Sequence, residues 1–171
     1  MRGRISSVNI RAFEGPHSVG KEPQPSGAVL GQWGFVGDHH NREMRPSFSK
    51  PGTFKPNTDR HVSLLALEVI NSLNMELGLE MSSGTLGENI TTHGLGDLSY
   101  ISNGSRLIIK NSLECQLAIL RVVEQNQPCK NLYSQHRLLV KKIYGRRGLL
   151  CVIESGIGKR ICRYDSIEFS P

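Results

Sequence analysis

After residue 90 the sequence consists mainly of short apolar runs that are rich in β-branched and aliphatic residues and bounded by turn-forming residues. These runs cover residues 90–92, 106–109, 113–119, 148–153 and 165–169. Asn103-Gly104 directly precedes the second run, and this dipeptide is a strong signal for a tight turn. Several short strands with few helices between them are typical of a β-barrel. We therefore predict a mainly β protein with a closed barrel and a few peripheral helices.

For two of the predicted strands, the sequence indicates which side chains form the apolar face. Residues 1–13 alternate loosely, with Ile5, Val8 and Ile10 as the apolar positions, and are predicted to form the first strand. In residues 113–119 the apolar face is predicted from side chains that alternate along the chain, namely Leu113, Cys115, Leu117 and Ile119.

The clearest helical pattern lies in residues 62–77. Apolar residues recur there at helical spacing, at Leu64, at Leu65 or Leu67, and at Ile70, Leu73 and Leu77. Ser63 is the predicted N-cap and Gly78 the predicted stop. A second, shorter helix is predicted in residues 132–140.

A proline-rich segment lies between Gly15 and Thr58. It holds six of the eight prolines of this 171-residue chain, so little regular structure is expected there. The length is that of one ordinary domain, and we predict a single domain over residues 1–171 with an insertion or loop at 42–58.

The composition argues against several classes of protein. No run of about 18 apolar residues is present, and no apolar stretch follows the basic start Met1–Ile5, so we expect neither a membrane partner nor a secretory signal. The cytoplasm is the expected location. The net charge of +6 suits anionic ligands. Aromatic residues, at 6%, do not interleave with the basic residues around 141–147, so no nucleic-acid partner is expected.

Cys129 is the candidate for a reactive thiol. It follows Gln127-Pro128, and proline ends a strand because it lacks a backbone donor. If a helix begins just after it, the free N–H groups and the charge of Lys130 favour the thiolate form. A thiolate is what a soft metal or a sulfur-transfer step requires. An inert cysteine at a strand end is the alternative, and for Cys115, Cys151 and Cys162 buried or inert thiols are the simpler interpretation.

Three other segments carry residues that suit ligand binding. Asp38 and His39 stand in a Gly-Asp-His-His string, for which a turn is the ordinary explanation and a zinc site the less expected one. Arg60 precedes the predicted helix, where free backbone donors would favour a phosphate. The loop of residues 84–89 has two glycines that allow close approach of a ligand. An ordinary tight turn and a surface arginine are the alternatives.

Taken in order, these strings resemble the MOSC domain, named for its place at the C-terminus of molybdenum-cofactor sulfurases. The resemblance runs from about residue 17 to residue 168. It rests on five strings in sequence: 36–39, 60–65, 84–95, 103–107 and 127–132.

The resemblance implies a molybdenum cofactor (molybdopterin) held by one cysteine, which corresponds to Cys129 as the catalytic residue and molybdenum ligand. It also implies a set of residues that line the cofactor site, namely Asp38, His39, Arg60, Ser63, Thr85, Gly87, Glu88, Asn89 and Lys130. The chain lacks the large domain of the sulfurases, so no pyridoxal-phosphate site is expected. His40 and the insertion at 42–58 depart from the family pattern and leave the substrate open.

Two functions follow from this resemblance. The first is reduction of a small N-hydroxylated base or amidoxime, with electrons from a separate reductase, since no flavin or nicotinamide motif is present. The alternative is a non-catalytic carrier of sulfur or of the cofactor, which would act through a Cys129 persulfide and a sulfur donor or acceptor protein.

Overall fold

Seven strands form a closed barrel in the computed structural model, which describes residues 1–11, 20–47, 50 and 52–170. The strands are β1 (Arg2–Ile10), β2 (Glu22–Pro23), β3 (Ala28–Val29), β4 (Met44–Pro46), β5 (Phe54–Pro56), β6 (Val62–Ala66), β7 (Ile90–His93), β8 (Arg106–Lys110), β9 (Gln116–Gln125), β10 (Leu149–Ser155), β11 (Arg160–Ile161) and β12 (Ser166–Ser170). The helices are α1 (Leu67–Leu77), α2 (Leu139–Lys142) and a 3-10 helix over Lys130–Ser134. The predicted fold class is therefore confirmed.

The barrel follows the order β12-β8-β9-β10-β6-β7-β1 and closes where β1 pairs with β12. All neighbours are antiparallel except β6 and β7, which are parallel. The short strand β2 pairs antiparallel with the end of β1. Strands β3 and β11 form a separate pair, and so do β4 and β5. No helix in the described part of the chain is long and apolar enough to cross a membrane.

The helix predicted over 62–77 is wrong in its first third. Val62–Ala66 is a strand, β6, and α1 begins only at Leu67. Strand β6 lies between β10 and β7 and is buried almost throughout, so its apolar residues do not alternate and they continue the helical spacing of α1. Ser63 is therefore a strand residue and not an N-cap. Gly78 does end α1, with φ 65° and its N–H bonded to the carbonyl of Asn74.

The predicted apolar face of residues 113–119 is also wrong. In β9 the fully buried side chains are Ala118, Leu120 and Val122, whereas Leu113 is 79% exposed. Residues 111–115 form a turn in which the side chain of Asn111 accepts the N–H groups of Leu113 and Cys115. The strand begins after this turn, at Gln116. An alternation that starts at Leu113 therefore includes the turn, and it assigns the buried face to side chains one residue away from those that are buried.

The segment at 42–58 contains regular structure in its described residues. Strands β4 and β5 pair antiparallel, and Arg45 donates to both carboxylate oxygens of Asp59 at 2.7 Å. Pro51 and residues 48 and 49 of the predicted insertion lie outside the described residues.

The strand register aligns one row of residues across five strands of the barrel. Ile90 pairs with Val8 on one side and with Leu64 on the other. Leu64 in turn pairs with Leu149, which pairs with Gln125. This row joins the C-terminal ends of β1 and β9 to the N-terminal ends of β7 and β10 across the middle of β6, and we call the region around it the site end.

Candidate functional site

A buried ion pair lies near the site end. Lys21 and Asp38 are 7% and 5% exposed, and Lys21 Nζ lies 2.8 Å from Asp38 Oδ2. The other oxygen of Asp38 accepts the backbone N–H of His40 at 2.8 Å. Burial alone would raise the pKa of Asp38, but hydrogen bonds from His40 and the charge of Lys21 outweigh it and hold this pKa below its usual range.

Asn89 joins this ion pair to the barrel wall. Its Nδ2 donates to Asp38 Oδ2 at 2.8 Å, and its Oδ1 accepts the backbone N–H and the hydroxyl of Ser63 in β6. Its backbone N–H donates to the carbonyl of Ser63 at 2.9 Å, and its carbonyl accepts the N–H of Asn9 at the end of β1. Asn89 thus bridges β1, β6 and the loop that carries Asp38.

Glu88 is a buried carboxyl beside this pair. Its Oε1 accepts the N–H of Gly84 at 2.6 Å and the hydroxyl of Thr91 at 2.8 Å. Within the described residues its Oε2 has no hydrogen-bond partner. Burial raises the pKa of Glu88, although the bonds to Gly84 and Thr91 oppose this. Asp38, Ser63, Glu88 and Asn89 are thus brought together, with Lys21, Asn9 and Thr91, in what we call the buried network.

Glycine is required at the turn of the 84–89 loop. Gly84 has φ +86°, and a Cβ there would lie 2.2 Å from the carbonyl oxygen of Lys21. The carbonyl of Gly84 accepts the N–H of Lys21 and that of Gly87. The close approach of the backbone at Gly84 therefore serves the segment that carries Lys21, which is a structural use of the glycine.

Cys129 lies outside the buried network. It is half-buried at the N-cap position of the 3-10 helix, with extended φ and ψ, and its carbonyl accepts the N–H of Leu132. The helix expected just after Cys129 is present but has only five residues. Leu132 is fully buried and anchors this short helix, while Lys130 is exposed.

Arg147 connects the Cys129 loop to the 84–89 loop. Its Nη1 donates to the carbonyl of Gln127 at 2.6 Å and its Nη2 to the carbonyl of Leu86 at 3.4 Å. Its Nε is buried and has no hydrogen-bond partner, and no carboxylate among the described residues forms an ion pair with it. A half-buried guanidinium therefore holds its positive charge between the two loops.

Three further predicted site residues form hydrogen bonds or an ion pair with groups outside the buried network and the Cys129 loop. Arg60 Nη2 lies 3.2 Å from Glu124 Oε1, and it precedes a strand, so the helix N-terminus expected beside it is absent. His39 Nδ1 lies 3.4 Å from Arg42, and burial, with the nearby His40 and Arg42, lowers the pKa of His39. Thr85 accepts the N–H of Ser82.

Thr85 also borders an open depression on the surface. The depression is lined by Leu79, Glu80, Met81, Thr85 and Gln135, the last of which ends the 3-10 helix that follows Cys129. Across the part of the chain that the structure describes, no three His, Cys, Asp or Glu side chains cluster as they would around a metal ion.

Sequence reasoning missed Lys21 and Arg147. Lys21 carries no local signal, because its partners Asp38 and Gly84 lie 17 and 63 residues further along the chain. Arg147 is one of several basic residues around 141–147, and its residue type does not distinguish it from these neighbours. The only hint was its position directly before Gly148, at the start of a buried strand.

The chain is thus a small closed β-barrel in which a half-buried cysteine follows the longest strand, β9. A family model described as "MOSC domain" matches residues 37–156. The chain belongs to the MOSC domain family, and the resemblance stated above is confirmed.

Among curated proteins, a Bacillus subtilis (strain 168) protein is 25% identical over 137 residues, which is 71% of this chain and 69% of the relative. Its printed name is "Putative metal-sulfur cluster biosynthesis proteins YuaD".

Solved structures share the fold over nearly the whole chain. The crystal structure of the Bacillus subtilis YuaD protein matches with a TM-score of 0.81 at 22% identity, covering 99% of this chain and 96% of that one. YiiM from Geobacillus stearothermophilus matches with a TM-score of 0.68 at 15% identity, covering 99% and 75%. YiiM from Escherichia coli gives 0.66 at 18%, covering 100% and 70%. These likenesses show the fold.

Proposed function

We propose that this protein binds a molybdenum cofactor through the thiolate of Cys129 and reduces a small N-hydroxylated base or amidoxime. One observation supports this most directly. Arg147 ties the 84–89 loop to the carbonyl of Gln127, two residues before the half-buried thiol of Cys129, and this half-buried cation has no carboxylate partner among the described residues.

The residues present fit this cofactor chemically. Molybdenum accepts a soft thiolate ligand, and Cys129 is the half-buried thiol at the site end. The pterin carries a phosphate, and the guanidinium of Arg147 retains an unpartnered buried Nε, while Lys130 adds an exposed charge next to Cys129. Thr85 and Gly87 are on the facing loop, and Arg60 and His39 are further candidates for contacts with the cofactor.

The chain's own residues would bind and orient in this scheme. The bound cofactor would supply the two-electron redox chemistry. Arg147 would hold the Cys129 loop at a fixed distance from the 84–89 loop and neutralise an anionic group between them. The buried network would keep the 84–89 loop rigid. Reduction of an N-hydroxyl group to an amine consumes two electrons and two protons and releases water, and the electrons would come from a separate protein.

The second candidate is a sulfur carrier, and the printed name of the YuaD relative favours it. In this reaction the thiolate of Cys129 would attack the outer sulfur of a donor persulfide, and the donor thiolate would leave. Cys129 would then pass this sulfur to an acceptor in the same way, with no net oxidation. Either role would be expected in the cytoplasm, where thiols stay reduced.

The first experiment is to measure molybdenum content in protein made by a host that synthesises the cofactor. We expect near-stoichiometric metal in the wild type and almost none in Cys129→Ser. Cys115→Ser, which changes an exposed cysteine outside the site, is the matched control and should keep its metal. Equal metal in wild type and Cys129→Ser would overturn the assignment of Cys129.

The two candidate activities are separated by a second pair of measurements. Reduction of benzamidoxime with a chemical electron donor, lost in Cys129→Ser, would support the reductase. A persulfide on Cys129, detected by mass spectrometry in protein that holds no molybdenum and reduces nothing, would support the carrier. A control molybdoenzyme from the same host must be loaded for this comparison.

Arg147 gives a test of the anion-binding part of the proposal. Arg147→Gln keeps a hydrogen-bond donor but removes the charge, and we expect about a tenfold or greater loss in affinity for the cofactor. Arg146→Gln is the control, because Arg146 is the neighbouring arginine and pairs with Glu76 instead. Equal cofactor affinity in the two variants would remove Arg147 from the site.

A further inference from the structure

The segment that follows Cys129 is strongly basic. Between residues 125 and 153 the sequence contains no Asp or Glu, and its six Lys and Arg side chains are Lys130, Arg137, Lys141, Lys142, Arg146 and Arg147. The whole chain has a net charge of +6, so this single segment carries a large part of the excess. We call residues 130–147 the basic segment.

The basic segment is fixed to the barrel by its apolar residues. Leu132, Leu139 and Ile143 are each fully buried, so the 3-10 helix and α2 turn one side toward the core. Their polar residues are left on the outside. The surface of the segment is therefore held in place by packing, and it can act as a docking surface that is already formed before a partner arrives.

The charges on this surface are only partly neutralised. Glu76 of α1 pairs with Lys142 at 3.2 Å and with Arg146 at 2.6 Å. Arg137 and Lys141 are exposed, and the described residues offer neither of them an ion-pair partner. Uncompensated charges at the rim of a surface attract an oppositely charged partner and speed its approach.

Large apolar side chains are exposed among these charges. Tyr133 is 56% exposed, Leu138 42% and Tyr144 73%. Tyrosine and arginine are enriched at the centres of protein interfaces. A duplex or a single strand of nucleic acid would instead favour a continuous row of unpaired cations, and Glu76 interrupts such a row here.

We propose that the basic segment is the docking surface for an acidic partner protein that exchanges electrons with the site at Cys129. This inference rests on the proposed function. The segment begins at the residue after Cys129, so a partner seated on it would lie next to the cysteine. Negative charge on the partner complements Arg137 and Lys141, and an apolar patch at the partner's centre covers Tyr133, Leu138 and Tyr144.

The test uses a flavodoxin as a small acidic electron carrier, and it measures both binding and turnover. Binding is followed by fluorescence anisotropy at about 20 and about 300 mM KCl, since added salt screens exposed charges. The variant is the double charge reversal Arg137→Glu with Lys141→Glu. The matched control reverses Lys159 and Arg163, two exposed cations that flank β11 away from the basic segment.

We expect flavodoxin to bind the wild type and the control variant equally, and to bind about tenfold more weakly to the Arg137→Glu, Lys141→Glu variant and at high salt. Turnover driven by flavodoxin should show a similar rise in KM, while turnover driven by reduced methyl viologen should be unchanged. Absent binding, or equal losses in both variants, would overturn the proposal, as would tighter, salt-sensitive binding of an oligo-dT strand or of anionic vesicles than of flavodoxin.

The docking surface and the reductase activity are tested separately by these measurements. If flavodoxin binds as expected but no substrate is reduced, the docking surface stands and the reductase fails. If turnover is normal and the charge reversals leave the KM for flavodoxin unaltered, the reductase stands and the docking surface fails.

Discussion

The buried network and the Cys129 loop are linked by Arg147 through the 84–89 loop, yet they are built in opposite ways. In the network, groups from five separate parts of the chain bond to one another at distances of 2.6–3.3 Å, and nearly all of them are buried. The Cys129 loop depends on one 3-10 turn, one buried leucine and the two bonds of Arg147.

This contrast indicates a division of labour. A buried polar network in which nearly every group is hydrogen-bonded is rigid and costly to disturb, and Glu88 Oε2 is the exception among the network's described side chains. A half-exposed loop held by few contacts can accept a ligand without loss of the fold. The network therefore sets the position of the 84–89 loop, whereas the chemistry proposed for Cys129 would take place in a region that few contacts hold.

The largest expected effect is on the network. Asp38→Ala leaves the buried ammonium of Lys21 without its counter-charge, and we expect a loss of about 3–5 kcal/mol in the free energy of unfolding, measured by urea denaturation. Asp59→Ala, which removes a half-exposed ion pair with Arg45, should cost only about 1 kcal/mol. Similar losses in the two variants would erase the distinction between buried and exposed pairs.

The next effect concerns the turn of the 84–89 loop. Gly84→Ala would place a Cβ against the carbonyl of Lys21, and we expect a loss of about 2–4 kcal/mol in thermal or chemical unfolding. Gly104 has a similar φ of +88° with nothing within 4 Å of the added Cβ, so Gly104→Ala isolates the conformational cost of about 1 kcal/mol. If both variants lose the same amount, the close approach at Gly84 is relieved by backbone movement.

The network should also respond to pH through Glu88. Because burial raises the pKa of Glu88 in the folded state, the protonated form is favoured there, and its stabilising effect is lost as the pH rises. The usual pKa of a glutamate is 4.5. Above that pH, the wild type should therefore lose free energy of unfolding relative to Glu88→Gln, by at most about 1.4 kcal/mol per pH unit. Parallel unfolding curves for the two proteins between pH 4 and 8 would show that Glu88 does not titrate in this way.

The smallest effect on stability is expected at Cys129. Its Sγ makes no hydrogen bond with any described residue, so Cys129→Ser should change the free energy of unfolding by no more than about 0.5 kcal/mol. Cys151→Ser buries a hydroxyl in the core and should cost about 1–3 kcal/mol. A large loss in Cys129→Ser would mean that the loop is a structural element, as the buried network is.

The strands could be predicted from the sequence where both the apolar run and its flanking turns are local. Strand β10 is a run of buried aliphatic residues after a glycine, and β8 follows the Asn103-Gly104 turn. The boundary between β6 and α1 could not be found in this way. The chain passes from Ala66 to Leu67 without a turn residue, and α1 has no side-chain cap to mark its start.

The site was predictable only in part, for a similar reason. Asp38, Ser63, Glu88 and Asn89 stand in recognisable strings, and the structure brings them together. Lysine is among the residues least often buried, so nothing in the sequence around Lys21 distinguishes it from a surface lysine. Its role depends on contacts far along the chain, and those become visible only when the barrel is closed.

The closure of the barrel by β1 and β12 has a kinetic consequence. Arg2 pairs with Glu168, so the last contact of the ring joins residues more than 160 positions apart. Such a contact pays the largest loop-closure entropy in the molecule, and non-local pairing of this kind slows folding. We expect the seam to form late, so a version of this chain whose first and last residues are joined by a short linker should refold faster in stopped-flow measurements. An unchanged refolding rate would place the slow step elsewhere in the barrel.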